Sequence, residues 1–163
     1  MDLIEFVRES NLIERIVRDP KAHELEAHER FLALPSITTP DVERLVSLLQ
    51  PGAGLRERLG QDVRVGKYFP PPGGPQIRSN LEKLLEAIND RTLSPHLTYH
   101  EYEGLHPFMD GNGRSGRAIW LWLHAQQGEG HVDSILSLGF REAWHYETLA
   151  AGAGPRAHRF DLL

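Results

Sequence analysis

His106-Pro107-Phe108-Met109-Asp110-Gly111-Asn112-Gly113-Arg114-Ser115-Gly116-Arg117 decides how the rest of the chain is read. The stretch lies between two segments with helical periodicity, the second expected over Arg114 to Gln127. Gly111 and Gly113 flank Asn112 just before that helix. Glycines there let successive backbone N–H groups converge on one point, a nest for an anion. The start of the helix adds its own unpaired N–H groups and its positive dipole end. Arg114 and Arg117 lie one turn apart, so they share a face and both reach phosphate oxygens. Asp110 is a hard oxygen ligand beside the nest, suited to Mg²⁺ on a nucleotide. His106 takes a proton from a hydroxyl near neutral pH. Together these parts suit transfer of a phosphorus group to a hydroxyl. Singly, each has an ordinary reading: His-Pro as a turn, Gly-Asn-Gly as a loop, an Arg pair as a solvated helix face. Their concentration favours anion binding and, on chemistry alone, leaves catalysis evenly balanced against binding.

Outward from this stretch, the chain reads as helices. Leu3, Ile4, Phe6, Val7, Leu12, Ile13, Ile16 and Val17 recur at helical spacing up to Val17, with Pro20 as a limit. A second helix is expected over Ala22 to Leu34. A third is expected with Thr39 as N-cap and Pro40 at its first position, burying Val42, Leu45, Val46 and Leu49. Ile77, Leu81, Leu84, Leu85 and Ile88 form an apolar stripe in a helix from Pro75. Ser94-Pro95 reads as N-cap and first turn of a helix reaching Leu105. In the helix after the central stretch, Ile119, Leu121, Trp122 and Ala125 should face a core. One or two further helices are expected over Asp133 to Leu149, and the Gly- and Ala-rich residues 151–163 read as a loose tail. Residues 51–75 differ, being dense in Gly and Pro. Val63-Arg64-Val65 followed by Gly66 suggests a small β-hairpin or flap at about 62–70. The expected fold class is all-α, a helical bundle with one short β-hairpin.

Bulk composition narrows the function classes. The chain has 163 residues, the usual size of one domain, with 40% hydrophobic and 25% charged residues. A formal net charge of −5 gives no basic field, so nucleic acid is not an expected partner. There is no cysteine, which removes disulfides, thiolate metal sites and a Cys nucleophile together. No apolar run has the length of a bilayer span and the N-terminus lacks a secretion signal, so neither membrane insertion nor export is expected and the expected location is cytoplasmic. His96 and His100 share a helix face, but no Glu between them completes a zinc-protease pattern, and a structural or surface role is expected for both.

The central stretch resembles the signature of the Fic family, His-Pro-Phe-x-(Asp/Glu)-Gly-Asn-Gly-Arg-x-x-Arg, with every defined position present. The surroundings are similar too. Thr98 to Leu105 looks like the helix leading into the motif. Gly54-Leu55-Arg56, Val63 to Gly66 and Pro71-Pro72 look like the segment carrying the family's flap. The resemblance spans from about the first helix to about Leu149, with residues 21–150 as core. It implies an adenylyltransferase that moves AMP from ATP to a Ser, Thr or Tyr hydroxyl of a target protein, releasing pyrophosphate. It implies His106 as the base and Phe108 as a buried anchor of the loop. Asp110 would hold Mg²⁺, Gly111, Asn112 and Gly113 would form the anion hole, Arg114 would contact the phosphates and stabilise the transition state as a catalytic residue, and Arg117 would engage the γ-phosphate. Val63, Arg64, Val65, Gly66, Lys67 and Tyr68 would clamp the target as an added strand. Tyr68 is also a candidate for self-modification.

Residues 1–20 resemble the inhibitory helix found in that family, with its (Ser/Thr)-x-x-x-Glu-(Gly/Asn) pattern. Ser10 and Glu14 match; Arg15 stands where Gly or Asn is expected. Glu14 is therefore expected to pair with Arg117 and block the γ-phosphate site, since a carboxylate there competes for the guanidinium and repels the nucleotide. Two alternatives stay open: a Fic-fold enzyme that removes AMP or transfers another phosphate-containing group, and a non-catalytic nucleotide-binding module. The compact domain suits a bacterial or phage origin. Target identity and self-association into a homo-oligomer are left open.

Overall fold

The Thr38 carbonyl accepts the first helical bonds, from the Asp41 and Val42 N–H groups at 3.1 Å each, and the Thr38 N–H donates to Asp41 Oδ2 at 3.0 Å, which starts the third helix one residue earlier than expected. This reciprocal capping puts Thr39 and Pro40 both inside the first turn, where a missing N–H does no harm. In a computed structural model that describes residues 1–128 and Ile135, the elements are α1 (Leu3–Ile13), α2 (Ala22–Leu32), α3 (Thr39–Leu49), α4 (Gln76–Asn89), α5 (Pro95–Leu105) and α6 (Asn112–Gln126). The described architecture is all-α. The helices expected over 133–149 and the tail at 151–163 lie outside the described residues, Ile135 apart.

The periodic stripes fill one main core. Val42, Leu45, Val46 and Leu49 of α3 and Ile77, Leu81, Leu84, Leu85 and Ile88 of α4 are all buried there with Leu105, Phe108, Ile119 and Trp122. Trp122 Nε1 donates to the Leu34 carbonyl at 2.9 Å, so its polar edge is satisfied inside. Ala125, expected inward, is exposed, and Leu123 is buried instead. The difference follows from the start of α6 at Asn112, since the buried face is set by the close packing of its first turns against α5. A second cluster of Phe6, Val7, Tyr99, Trp120 and Ile135 seats α1 against α5 and α6.

Two expected boundaries move for local reasons. α1 stops at Ile13, not Val17. Arg15 adopts φ 61°, its N–H reaches the Leu12 carbonyl at 2.9 Å, and Ile16 N–H reaches the Asn11 carbonyl at 2.9 Å. That is a Schellman termination with Arg15 in the left-handed position. Val17 is left outside the helix and exposed. The expected hairpin contracts to one antiparallel bridge, Val65 with Tyr68, closed by N–H to carbonyl bonds of 3.0 and 2.9 Å around Gly66 at φ 58°. The Pro70–Pro72 run offers no N–H donors to continue a ladder, and Gly73 N–H is taken by Asp62 Oδ1 at 2.8 Å. Among the described residues no helix is long and apolar enough to cross a membrane.

Candidate active site

The loop between α5 and α6 is shaped by side chains that bond to its backbone. Asn112 Oδ1 accepts from Phe108 N–H at 2.8 Å, and Asn112 Nδ2 donates to the Phe108 carbonyl at 2.9 Å. The buried amide thereby pins the loop across the first turn of α6, while Phe108 fills the core beneath it. Asn112 thus contributes its side chain to loop shape, and only its backbone N–H is left to face an anion. Gly111 sits at φ 81°, the left-handed region that glycine tolerates without strain. A Cβ there would also come within 3.2 Å of Gln50 Cβ at the end of α3.

Arg56, part of the flap-like segment in the sequence, braces the loop from the other side. Its guanidinium is fully buried and donates from Nε to the His106 carbonyl at 2.7 Å, and from Nη2 to the Leu105 carbonyl at 3.1 Å. Nη1 donates to the Gln61 and Pro71 carbonyls at 3.0 Å each. One side chain therefore ties the end of α5 to both ends of the flap segment. Arg56 N–H to the Pro107 carbonyl (2.9 Å), Met109 N–H to the Gly54 carbonyl (3.0 Å) and the Leu55–Phe108 bridge complete the seam. Tyr68 adds a bond from its hydroxyl to the Gly104 carbonyl at 2.6 Å, and burial pushes its pKa up to about 12. The expected self-modification residue thus has its oxygen engaged at the end of α5.

His106 caps α5 in a left-handed conformation, φ 49°. Its Nδ1 lies 3.7 Å from Glu103 Oε2. Burial, with Arg56 nearby, pulls its pKa down to about 4, although the Glu103 main chain opposes this. The imidazole is therefore neutral at neutral pH, the state a general base needs. Asp110 is exposed, and its Oδ1 accepts from Gly111 N–H at 2.7 Å.

The two arginines of α6 are both buried, each with a carboxylate from another helix. Arg114 Nη2 donates to Gln50 Oε1 at 2.5 Å, and its Nη1 lies 3.7 Å from Glu24 Oε1. Glu24 is itself held by Arg18 at 2.7 and 3.0 Å and by Lys21 N–H at 2.7 Å. Burial alone would raise the Glu24 pKa; these donors outweigh it and hold the carboxyl at about 2. Arg117 is tied to α1: Nε donates to Ser10 Oγ at 2.8 Å, Nη2 to the Ser10 carbonyl at 3.1 Å and to Glu14 Oε1 at 2.5 Å. Nη1 donates to the Tyr99 hydroxyl at 3.3 Å. Glu14 Oε1 also stands directly over Gly113, so close that a Cβ on Gly113 would collide with it.

His106, Asp110, Gly111, Asn112, Gly113, Arg114 and Arg117 are thus placed on one loop and the helix turns that follow it, and Ser10 and Glu14 are brought onto it from far away in sequence. The flap residues Val63 to Lys67 contact this machinery through Tyr68 and the Arg56 seam; Arg64 instead turns back to the Gly66 carbonyl at 2.7 Å and covers the Phe69 ring at 5.0 Å. Gln50 and Glu24 carry no motif signal, and Arg56 stands in the flap-like segment without a sign of its bracing role. Glu24 and Gln50 occupy helix positions that read as ordinary surface, and only the packing of α2 and α3 against α6 turns them inward.

The family model for the Fic/DOC family matches residues 20–124, well over half of the chain. A crystal structure of a Fic family protein from Desulfovibrio desulfuricans G20 is similar in fold, with a TM-score of 0.58 and 17% sequence identity. The match covers 91% of this chain and 54% of that one, so this chain spans about half the length of its structural relative.

Proposed function

The chain belongs to the Fic/DOC family, whose members generally transfer phosphate-containing nucleotide groups to proteins, and from that premise we propose that it moves AMP from ATP to a hydroxyl of a target protein, restrained by Glu14. The observation that carries the reading is the lodging of the Glu14 carboxylate against Gly113 and Arg117. A carboxylate held by a buried guanidinium over a glycine of the loop marks that spot as an anion site, and this anion comes from the chain's own α1.

In the proposed reaction His106 takes the proton of the target hydroxyl. The hydroxyl oxygen attacks the α-phosphorus of ATP, its new P–O bond forming as the bond to the β-phosphate bridge breaks, and pyrophosphate leaves. Backbone N–H groups of Gly111 to Gly113 and the α6 N-terminus face the charge that builds on the phosphoryl oxygens. Arg114, fixed by Gln50 and Glu24, supplies a second contact to that charge, and Arg117 engages the γ-phosphate once Glu14 leaves. Mg²⁺ fits this donor set: Asp110 is an exposed hard carboxylate at the rim, and the remaining ligands would be phosphate oxygens and water. The metal would offset phosphate charge. The exposed turn at Gly66 and Lys67 suits an extended target segment laid along it. No basic field or apolar span points to nucleic acid or membrane as partner.

The test is labelling of a bacterial lysate with Mg²⁺ and α-labelled ATP by the wild type, Glu14→Gly and Glu14→Gly/His106→Ala. Labelled bands that strengthen with Glu14→Gly and vanish with the double variant support the reading. Bands that persist without His106 would overturn it.

A further inference from the structure

Glu103 is the buried carboxylate that neither phosphate contact nor target binding uses. It lies on the last turn of α5, 1% exposed, with Oε2 3.7 Å from His106 Nδ1. On its other side it packs against α6: a Cβ on Gly116 would come within 2.8 Å of Glu103 Oε1, 2.9 Å of Tyr102 and 3.2 Å of Tyr99. The absence of a side chain at Gly116 is what lets the two helices close around this carboxylate. An ionisable group so deep is costly unless charge meets it. The charged and titratable groups that face it are His106 from its own turn, Arg117 from α6, and the Tyr99 and Tyr102 hydroxyls, while Arg56 faces His106 from the flap segment.

We propose that Glu103 is the positioning residue of the base: its main chain holds the imidazole of His106 with Nδ1–H turned inward, leaving the Nε2 lone pair for the target hydroxyl, and its carboxylate, 3.7 Å from Nδ1, offsets the charge that His106 acquires when it takes the proton. The inference rests on the AMP-transfer reading for its catalytic consequence, but the placement stands by itself. Arg56 and Tyr68 clamp the Gly104, Leu105 and His106 carbonyls, so the turn that carries both Glu103 and His106 is rigid. With Arg56 opposing a positive imidazole from one side, a counter-charge on the other is what makes proton uptake feasible. The rival role is purely structural, Glu103 serving only as counter-ion to the buried Arg117.

The two roles separate experimentally. In the Glu14→Gly background, Glu103→Gln should slow labelling at saturating ATP by about 10- to 100-fold with the KM for ATP little changed, as expected for loss of a base's supporting charge. It should also move the acid limb of the rate profile to lower pH, and Glu103→Asp should recover part of the rate. NMR of ring-labelled histidine in the wild type should show His106 as the Nδ1–H tautomer at neutral pH, and Glu103→Gln should lower its titration midpoint. An Nε2–H tautomer in the wild type overturns the proposal even if the variants do not fold. So does a Glu103→Gln variant with unchanged His106 titration whose defect lies in KM for ATP or in stability. If Glu14→Gly labels nothing, the AMP-transfer reading fails separately, and the histidine spectra still decide the role of Glu103.

Discussion

Glu14 Oε1 lies 2.5 Å from Arg117 Nη2, joining the C-cap of α1 to the last residue of the signature across most of the chain. Arg117 is 1% exposed and also bonds Ser10 through Nε and Nη2. The contact to Arg117 is therefore a clamp of two residues, Ser10 on α1 and Glu14 at its C-cap, not a lone ion pair.

Removing the carboxylate should free the guanidinium for a nucleotide. A hydrogen bond to a charged group contributes about 1.5–3 kcal/mol. Glu14→Gly should thus bind ATP about 10- to 100-fold more tightly by calorimetry. Its thermal midpoint without nucleotide should fall, because Arg117 loses its shortest charged hydrogen bond and keeps those to Ser10 and Tyr99.

Arg15 should make this clamp looser than it could be. Its φ of 61° is a conformation in which a side chain costs about 1–2 kcal/mol and glycine nothing. Arg15→Gly should raise the thermal midpoint and lower basal labelling about 5-fold or more, by seating α1 more firmly. Arg15→Asn should fall between. A rise in labelling would show that Arg15 stabilises the clamp by some contact of its side chain.

Stability should depend on pH in two steps. His106 has a folded pKa of about 4 against an ordinary 6.5, so the unfolded chain takes up a proton that the folded chain refuses. The stability this group contributes is full above pH 6.5 and is lost as pH falls towards 4, by about 3 kcal/mol. Buried His28, also shifted down, acts in the same direction. Glu24, at about 2 against 4.5, adds a second loss as pH falls from 4.5 towards 2. Urea unfolding at stepped pH should show a flat region above 6.5 and a decline below it. His106→Asn should flatten the upper part of that decline.

Arg56 should be irreplaceable by lysine. Its fork serves four carbonyls at once, and an ammonium cannot reach that set. Both Arg56→Lys and Arg56→Ala should lose about 3 kcal/mol or more in chemical denaturation, since buried carbonyls are left without donors. Labelling should fall with them, as the His106 turn loses its brace.

The signature stretch was legible in the sequence because its parts stand within a few residues of one another. Helix α4 was equally plain, its five apolar positions all buried on one stripe. What stayed hidden depends on distant packing. The inward stripe of α1 passes from Phe6 and Val7 into Ser10 and Asn11, which periodicity scores as surface. Only the opposing Arg117 makes a polar inner face sensible there. Glu24, Arg56 and Glu103 are likewise polar residues whose burial is set by partners on other elements, and half-buried Gln50 is placed by Arg114. The flap was overread because Val63-Arg64-Val65 alternates like a strand, while the prolines beyond it remove the donors a ladder requires. The mismatch at Arg15 was visible as a letter, but its meaning, a left-handed helix end, lies in the backbone.

The most direct test of AMP transfer uses position-specific label. Glu14→Gly incubated with Mg²⁺, a responsive target and ATP labelled at either the α or the γ phosphate should transfer only the α label, releasing the γ label in pyrophosphate. Transfer of the γ label to protein would contradict the account, showing phosphoryl rather than AMP transfer from this site.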